Sequence, residues 1–299
     1  MCCEQQHNPP RPVDICGWCA FFCRQIPPCF AVFLILLNVV PYYVFFIPRL
    51  HHSYQRGEAS WLYCVYCHAV MAIAEILVFV NFFLAVYTPP GYVEREPWSH
   101  TPVFRGRAGS NLNTNEVWQT GLDGKMRFCF RCEIYKPDNA HHCRSCRRCV
   151  YRMDHHCPWI NNCVGRDNLK FFLLFLAYIP LGGLHIASTT FYSLYYHFPL
   201  FSAANLGDSI VLVASAVMST LMGITFLIFA AHFLFLAFRG ETTVANAIAH
   251  GKGDRQRQKQ MLKEEREQFL NEVFGLDRRW WNLICPVGIV RPPENMGIV

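Results

Sequence analysis

The chain has 299 residues, of which 53% are hydrophobic, 15% aromatic and only 16% charged, with a formal net charge of +6. An average soluble domain carries about 25% charged residues, so this composition excludes an ordinary soluble enzyme and indicates a membrane protein. In that setting the positive excess reads as membrane orientation, and no nucleic-acid partner is expected.

The N-terminal segment (1–28) is polar and Pro-rich, and it carries Cys2, Cys3, Cys16, Cys19 and Cys23, with Cys29 opening the first apolar run. Juxtamembrane cysteines are candidates for S-acylation. No signal-peptide pattern precedes them, so the chain is expected to insert by its own helices. Four runs reach the roughly 20 residues that cross a hydrocarbon core: 29–47, 61–87, 169–196 and 209–238. Pro41 and Pro180 are expected to kink or loosen their helices, which neighbouring helices tolerate in a membrane. Glu75 and His185 lie inside spans, where burying an ionisable group is costly. The plain expectation is a neutral Glu75, or a Glu75–His185 hydrogen bond tying two helices together. Cys64 and Cys67 are expected to be small packing residues.

Lys and Arg crowd the loop 88–168, from Arg105 to Arg166, and the segment 239–299, whereas 197–208 has neither. With four spans, the central loop and both termini share a face, and the positive-inside rule assigns it to the cytosol. The predicted architecture is an α-helical polytopic membrane protein, with a cytosolic zinc-binding, cysteine-rich domain between the second and third of four transmembrane helices. Cytosolic thiols stay reduced, so a dense cysteine cluster there points to metal binding or catalysis and not to disulfides.

Within that loop, Pro89-Pro90-Gly91 ends the second span, and a polar linker (105–124) leads to RFCFRCEIYKPDNAHHCRSCRRCVYRMDHHCPWINNCVGRDN, residues 127–168. It holds Cys129, Cys132, His141, His142, Cys143, Cys146, Cys149, His155, His156, Cys157 and Cys163. A structural zinc site takes four Cys or His ligands, so eleven candidates fill two sites and leave three over. Spacing alone does not say which three. Chemistry singles out Asp154, His155 and Cys157 as a compact acid, base and thiol set: a thiolate is a strong nucleophile, an imidazole can take its proton, and a carboxylate can orient that imidazole. Bound to zinc, Cys157 would be a much weaker nucleophile. Pro158 and Trp159 add a rigid amphipathic patch suited to a membrane interface.

From Cys129 to Asn168 this segment resembles the cysteine-rich domain of the DHHC protein S-acyltransferases, or palmitoyltransferases, four-span membrane enzymes with that domain ahead of the third span. The resemblance implies two structural zinc ions, one on Cys129, Cys132, His142 and Cys149, the other on Cys143, Cys146, His156 and Cys163. It implies that Cys157 is the acyl-carrying nucleophile, with His155 as base and Asp154 as orienter, and it leaves His141 without a catalytic or metal role. The expected reaction moves a long-chain (palmitoyl) group from acyl-CoA to cysteines of membrane-associated proteins. The expected location is the Golgi, the endoplasmic reticulum or the plasma membrane. The family's TTxE motif matches at Thr242 and Thr243 but has Ala245 for its Glu. The DPG motif lacks its Asp at Pro89, and FLNEVFG (269–275) has Phe269 where an Asn is typical. The runner-up is a catalytically idle membrane adaptor with a zinc interaction module, which the presence of Cys157 argues against.

Gly182 and Gly183 lie about 14 residues into the third helix, roughly 21 Å deep. They are expected either to leave room at the end of an acyl tunnel or to let helices approach closely. In the tail, 252–268 reads as a solvated charged helix, and Trp280 and Trp281 beside Arg278 and Arg279 read as an interfacial anchor.

Overall fold

The structure is a computed structural model. It describes residues 15–104, 116–117, 119–121, 123–197, 206–245, 266–275, 281 and 284–286. The cysteines of 1–14, most of the 105–124 linker, the charged run 252–265 and the Arg278, Arg279 and Trp280 anchor lie outside the described residues.

Four helices are long and apolar enough to cross a membrane, and the protein is a multi-pass membrane protein. In chain order the helices are α1 (Ile15–Pro41), a π-helical turn (Tyr42–Phe46), α2 (Ile47–Gln55), α3 (Trp61–Tyr87), α4 (Leu169–Tyr196) and α5 (Leu206–Arg239). A further helix, α6, covers 266–274. Lipid-facing character shows in the large apolar side chains left uncovered, such as Leu62, Ile76, Leu221 and Ile228.

Two compact units make up the chain. The first comprises Pro28–Phe83 and Phe172–Phe233. Pro41 has no N–H to give the helical ladder, and the turn behind it widens so that the Ile47 N–H reaches Tyr42 O. That widened turn points Tyr42 inward, where it is 1% exposed. Its hydroxyl lies 3.3 Å from His185 Nε2, which is also 3.2 Å from Cys67 O. Tyr63 OH and Ser193 Oγ are 3.1 Å apart. These bonds tie the widened turn, α3 and α4 together. Glu75 takes a different partner from the expected one: Tyr43 OH donates to it at 2.8 Å, so the Glu75–His185 bond is not formed. Of the glycine pair, Gly183 serves close packing. A Cβ on Gly183 would lie 3.0 Å from Ser219 O and 3.4 Å from Gly223 Cα, and one on Gly182 3.7 Å from Ala74 Cβ. Gly183 is therefore where α4 meets α5, which corrects the tunnel expectation for that residue: a large side chain there would push two helices apart.

The second unit contains Leu84–Phe171 and the chain from Leu234 onward. Its centre is three short antiparallel hairpins: β3–β4 (Phe128–Cys129 with Ile134–Tyr135), β5–β6 (His141–Cys143 with Arg148–Val150) and β7–β8 (His155–Cys157 with Asn162–Val164). A minor parallel pair, β1–β2, joins Val103–Phe104 to Glu116–Val117. Each hairpin turns on one left-handed residue set just before its returning strand: Glu133, Arg147 and Asn161, with φ of 55°, 56° and 48°. Strands of two or three residues bury too little to be stable alone, so a cross-link between hairpins is needed to hold them.

Candidate active site and metal centres

The hairpin register assembles two donor sets. His142 pairs across from Cys149, and His156 across from Cys163. Each pair joins the two cysteines of the preceding hairpin's turn, so that Cys129, Cys132, His142 and Cys149 form one group and Cys143, Cys146, His156 and Cys163 the other, with donor atoms within 4.8 Å of one another. The histidines present Nδ1: His142 Nδ1 lies 3.5, 3.3 and 3.9 Å from the sulfurs of Cys129, Cys132 and Cys149, and His156 Nδ1 lies 3.4 and 3.7 Å from those of Cys146 and Cys163. A tetrahedron with Zn–S of about 2.3 Å and Zn–N of about 2.05 Å has edges of roughly 3.5 to 3.8 Å, so the spacing fits a zinc ion at each group. Electrostatics agree: burial and the neighbouring Cys132 and Cys129 sulfurs push the Cys149 thiol up, a strain that a divalent cation would reverse by stabilising thiolates.

The three hairpins are variants of one unit, and this accounts for the spare thiol. Cys129, Cys143 and Cys157 occupy the same position, the last residue of the outgoing strand; Cys132 and Cys146 follow at the same offset, where the third hairpin has Ile160. Each turn borrows a His and a Cys from the next hairpin, and no fourth hairpin follows the third among the described residues. Cys157 thus sits in a ligand position with no site to join.

Strand alternation then separates the two histidines beside it. Successive side chains point to opposite faces, so His156 faces its metal group while His155 and Cys157 share the other face. Asp154 is 3% exposed, and its Oδ2 lies 2.7 Å from His155 Nδ1. Thr243, just past α5, donates its N–H to Asp154 Oδ1 (2.7 Å) and its hydroxyl to Asp154 O (2.8 Å). With both carboxylate oxygens engaged, the His155 ring is held by Nδ1 and Nε2 is left toward the thiol. Burial by itself disfavours a charged His155, but hydrogen bonds to Asp154 and Cys157, reinforced by the charges of both, outweigh it and push His155 up to about 9. Cys157 is 6% exposed, sheltered enough to exclude bulk water from the sulfur. Trp159, two residues on, is half exposed.

Two asparagines anchor this face to the end of α3. Asn162, the residue across from Cys157, donates to Ala85 O, Val86 O and Thr88 O (3.3, 3.2 and 2.9 Å). Asn168 is fully buried; it donates to Ala85 O (3.2 Å) and Cys163 O (2.8 Å) and accepts the Gly165 N–H at 2.9 Å. The last carbonyls of a helix lack intrahelical donors, and these amides supply them. Gly165 is required by the same approach, since a Cβ there would lie 2.5 Å from Pro90 O. Asn168→Ala takes this partner from the Cys163 carbonyl and the Gly165 N–H and leaves Ala85 O with Asn162 alone, and a buried polar group left unpaired costs about 1–3 kcal/mol. The expected result is a lower thermal unfolding midpoint in detergent with metal content unchanged, and an unaltered midpoint would remove Asn168 from this role.

Sequence reasoning did not give structural roles to Asn162, Asn168, Arg152 or Glu272. For Thr243 the Thr-Thr motif was the signal. His141 is half-buried and held down to about 4 by its desolvation, with Arg127 and Lys136 adding to it.

Fold and site together define a multi-pass membrane protein whose Cys/His-rich domain is suited to two metal ions and presents one further, histidine-backed cysteine outside both. Residues 123–249 match the model of the DHHC palmitoyltransferase family. The chain is 49% identical over 105 residues to palmitoyltransferase ZDHHC2 of Homo sapiens, covering 34% of this chain and 28% of that protein. It is 36% identical over 178 residues to palmitoyltransferase ZDHHC15 of Rattus norvegicus, covering 56% of this chain and 53% of that protein. Palmitoyltransferase PFA3 of Kluyveromyces lactis is 39% identical over 122 residues, 41% of this chain and 38% of that protein. The match thus spans between about a quarter and a half of these relatives' lengths.

Proposed function

We propose that this chain is a protein S-acyltransferase that carries a long-chain acyl group, palmitoyl above all, on Cys157 between acyl-CoA and cysteines of membrane-associated proteins. The observation that carries the reading is the Asp154–His155–Cys157 set, with His155 and Cys157 on one strand face, away from the metal groups. The names of the relatives support it.

In the first half-reaction the Cys157 proton passes to His155 Nε2 and the sulfur attacks the thioester carbonyl. The carbon–sulfur bond to CoA breaks, and His155 returns the proton to the departing CoA thiolate. In the second, His155 takes the proton of an incoming substrate thiol; that sulfur attacks the acyl-Cys157 thioester, and Cys157 leaves and recovers the proton. Asp154 fixes the imidazole and stabilises its cation in both. Two structural zinc ions, one on Cys129, Cys132, His142 and Cys149 and one on Cys143, Cys146, His156 and Cys163, would lock the hairpins on which these groups stand. The basic loop 88–168 and both termini face the cytosol in this reading, where Lys and Arg of the loop can meet the phosphates of CoA. The host membrane is the Golgi, the endoplasmic reticulum or the plasma membrane.

The test is incubation of the purified protein with radiolabelled palmitoyl-CoA. The expected product is a label on the chain that hydroxylamine releases. No label, or one that resists hydroxylamine, would refute the reading.

A further inference from the structure

Beyond α5 the chain returns to the loop that carries Asp154, and it does so through a partly buried ion pair. The Arg152 guanidinium donates to both carboxylate oxygens of Glu272 on α6 and lies 5.3 Å over the Phe269 ring. The two side chains are 8% and 19% exposed. Removing charges from water at this depth is tolerated only with good geometry and further hydrogen bonds, and Gln268 Nε2 supplies one to Glu272 at 2.8 Å. The helix that bears Glu272 is itself well seated. Phe269 and Val273 are fully buried, Phe274 stacks on Phe238 with centroids 6.4 Å apart, and Arg266 Nε donates to Phe238 O at 2.6 Å.

Arg152 is left-handed, with φ of 45°, a conformation that a non-glycine residue keeps only when its surroundings impose it. The backbone on either side is pinned. Tyr151 N–H donates to Gly91 O (2.8 Å), Arg166 N–H to Tyr151 O (3.0 Å) and Asp154 N–H to Val164 O (2.9 Å). Unlike Glu133, Arg147 and Asn161, which turn within a hairpin, Arg152 turns between two hairpins, and its side chain adds a contact to α6 to the backbone bonds that bracket the turn. Relaxation at Arg152 would tilt the chain two residues before Asp154 and open the 2.7 Å contact to His155.

We propose that Glu272, acting through Arg152, is a positioning residue of the acyl-transfer site: the α6 clasp holds the turn that aims Asp154 at His155. The inference rests on the transferase reading above, and its test includes a readout that does not need acyl-CoA. Glu272→Lys places two cations together; the double variant Arg152→Glu/Glu272→Arg restores the pair with its sign reversed. Each is purified with two zinc ions per chain as the folding criterion; if Glu272→Lys fails it, Glu272→Gln takes its place. The expected result is a maximal autoacylation rate about 10- to 100-fold lower in the single variant, an unchanged half-saturating palmitoyl-CoA concentration, and recovery of most of the rate in the double variant. Iodoacetamide modification of the Cys157 peptide, followed by mass spectrometry, is expected to slow and recover in parallel. An unchanged maximal rate, a loss confined to half-saturation, or a double variant no better than the single one would overturn the proposal. If the wild-type protein takes up no acyl group, the transferase reading falls, and the alkylation rates alone decide the clasp: equal rates in wild type and Glu272→Lys would refute it.

Discussion

Cys157→Ser is expected to abolish acyl-enzyme formation while the protein keeps two zinc ions per chain, and Cys143→Ser or Cys163→Ser is expected to lose metal. The contrast follows from the repeat of the hairpins. All three cysteines lie on hairpin strands, and Cys143 and Cys157 share one position in successive units, but only Cys143 has a downstream His and Cys to complete a tetrahedron. A hydroxyl cannot replace a thiolate as nucleophile at neutral pH without a far stronger base, so labelling by palmitoyl-CoA should fall to background. Loss of a structural ligand acts differently, because metal binding and folding are one equilibrium in a domain with so small an apolar core. Inductively coupled plasma mass spectrometry of the purified variants reads both outcomes. One zinc in Cys157→Ser would place this sulfur on a metal and end the nucleophile assignment.

The four membrane helices were legible because a bilayer imposes length and apolarity, two properties a sequence states openly. Ligand arithmetic was legible for a similar reason: tetrahedral sites consume donors in fours, and eleven candidates cannot all be used. What the sequence did not disclose depends on contacts between residues far apart in the chain. Thr243 reaches Asp154 across 89 positions and Arg152 reaches Glu272 across 120, and neither pair has a local spacing that announces it. The glycine pair shows another limit. Small residues suit both a cavity and a helix contact, and only the position of Ser219 and Gly223 on α5 decides for contact at Gly183. Glu75 and His185 lie on different helices, and the widened turn after Pro41, which gives each a tyrosine partner, leaves no periodic trace.

Two departures from the family's motifs acquire a physical sense. Phe269 is fully buried beneath the Arg152 guanidinium, where an aromatic ring gains both apolar burial and a cation–π contact. At Ala245 the backbone N–H, not the side chain, makes the bond that matters locally: it donates to Thr242 Oγ1 at 3.2 Å. This is the N-cap geometry of a helical turn, and it holds Thr243 where its N–H meets Asp154. A missing Glu side chain leaves that clamp in place.

The second large effect is expected at His155. His155→Ala should lower the autoacylation rate by about 100-fold or more, the usual worth of a positioned general base, while His141→Ala lowers it far less. The comparison is sharp because His141 and His155 hold the same position in consecutive hairpins, two residues before Cys143 and Cys157. Their surroundings differ in both partners. Asp154 precedes His155 and holds its Nδ1 at 2.7 Å, whereas Ala140 precedes His141 and offers no carboxylate. Cys157 stands outside both donor groups, whereas Cys143 belongs to one. Desolvation also opposes proton uptake by His141, and the cationic Arg127 and Lys136 add to it. Its removal should act on packing, lowering the yield of zinc-loaded protein without slowing the protein that remains. Rates are therefore compared per zinc-loaded chain. Equal rates in the two variants on that basis would take His155 out of the mechanism and leave Cys157 to be activated by some other group.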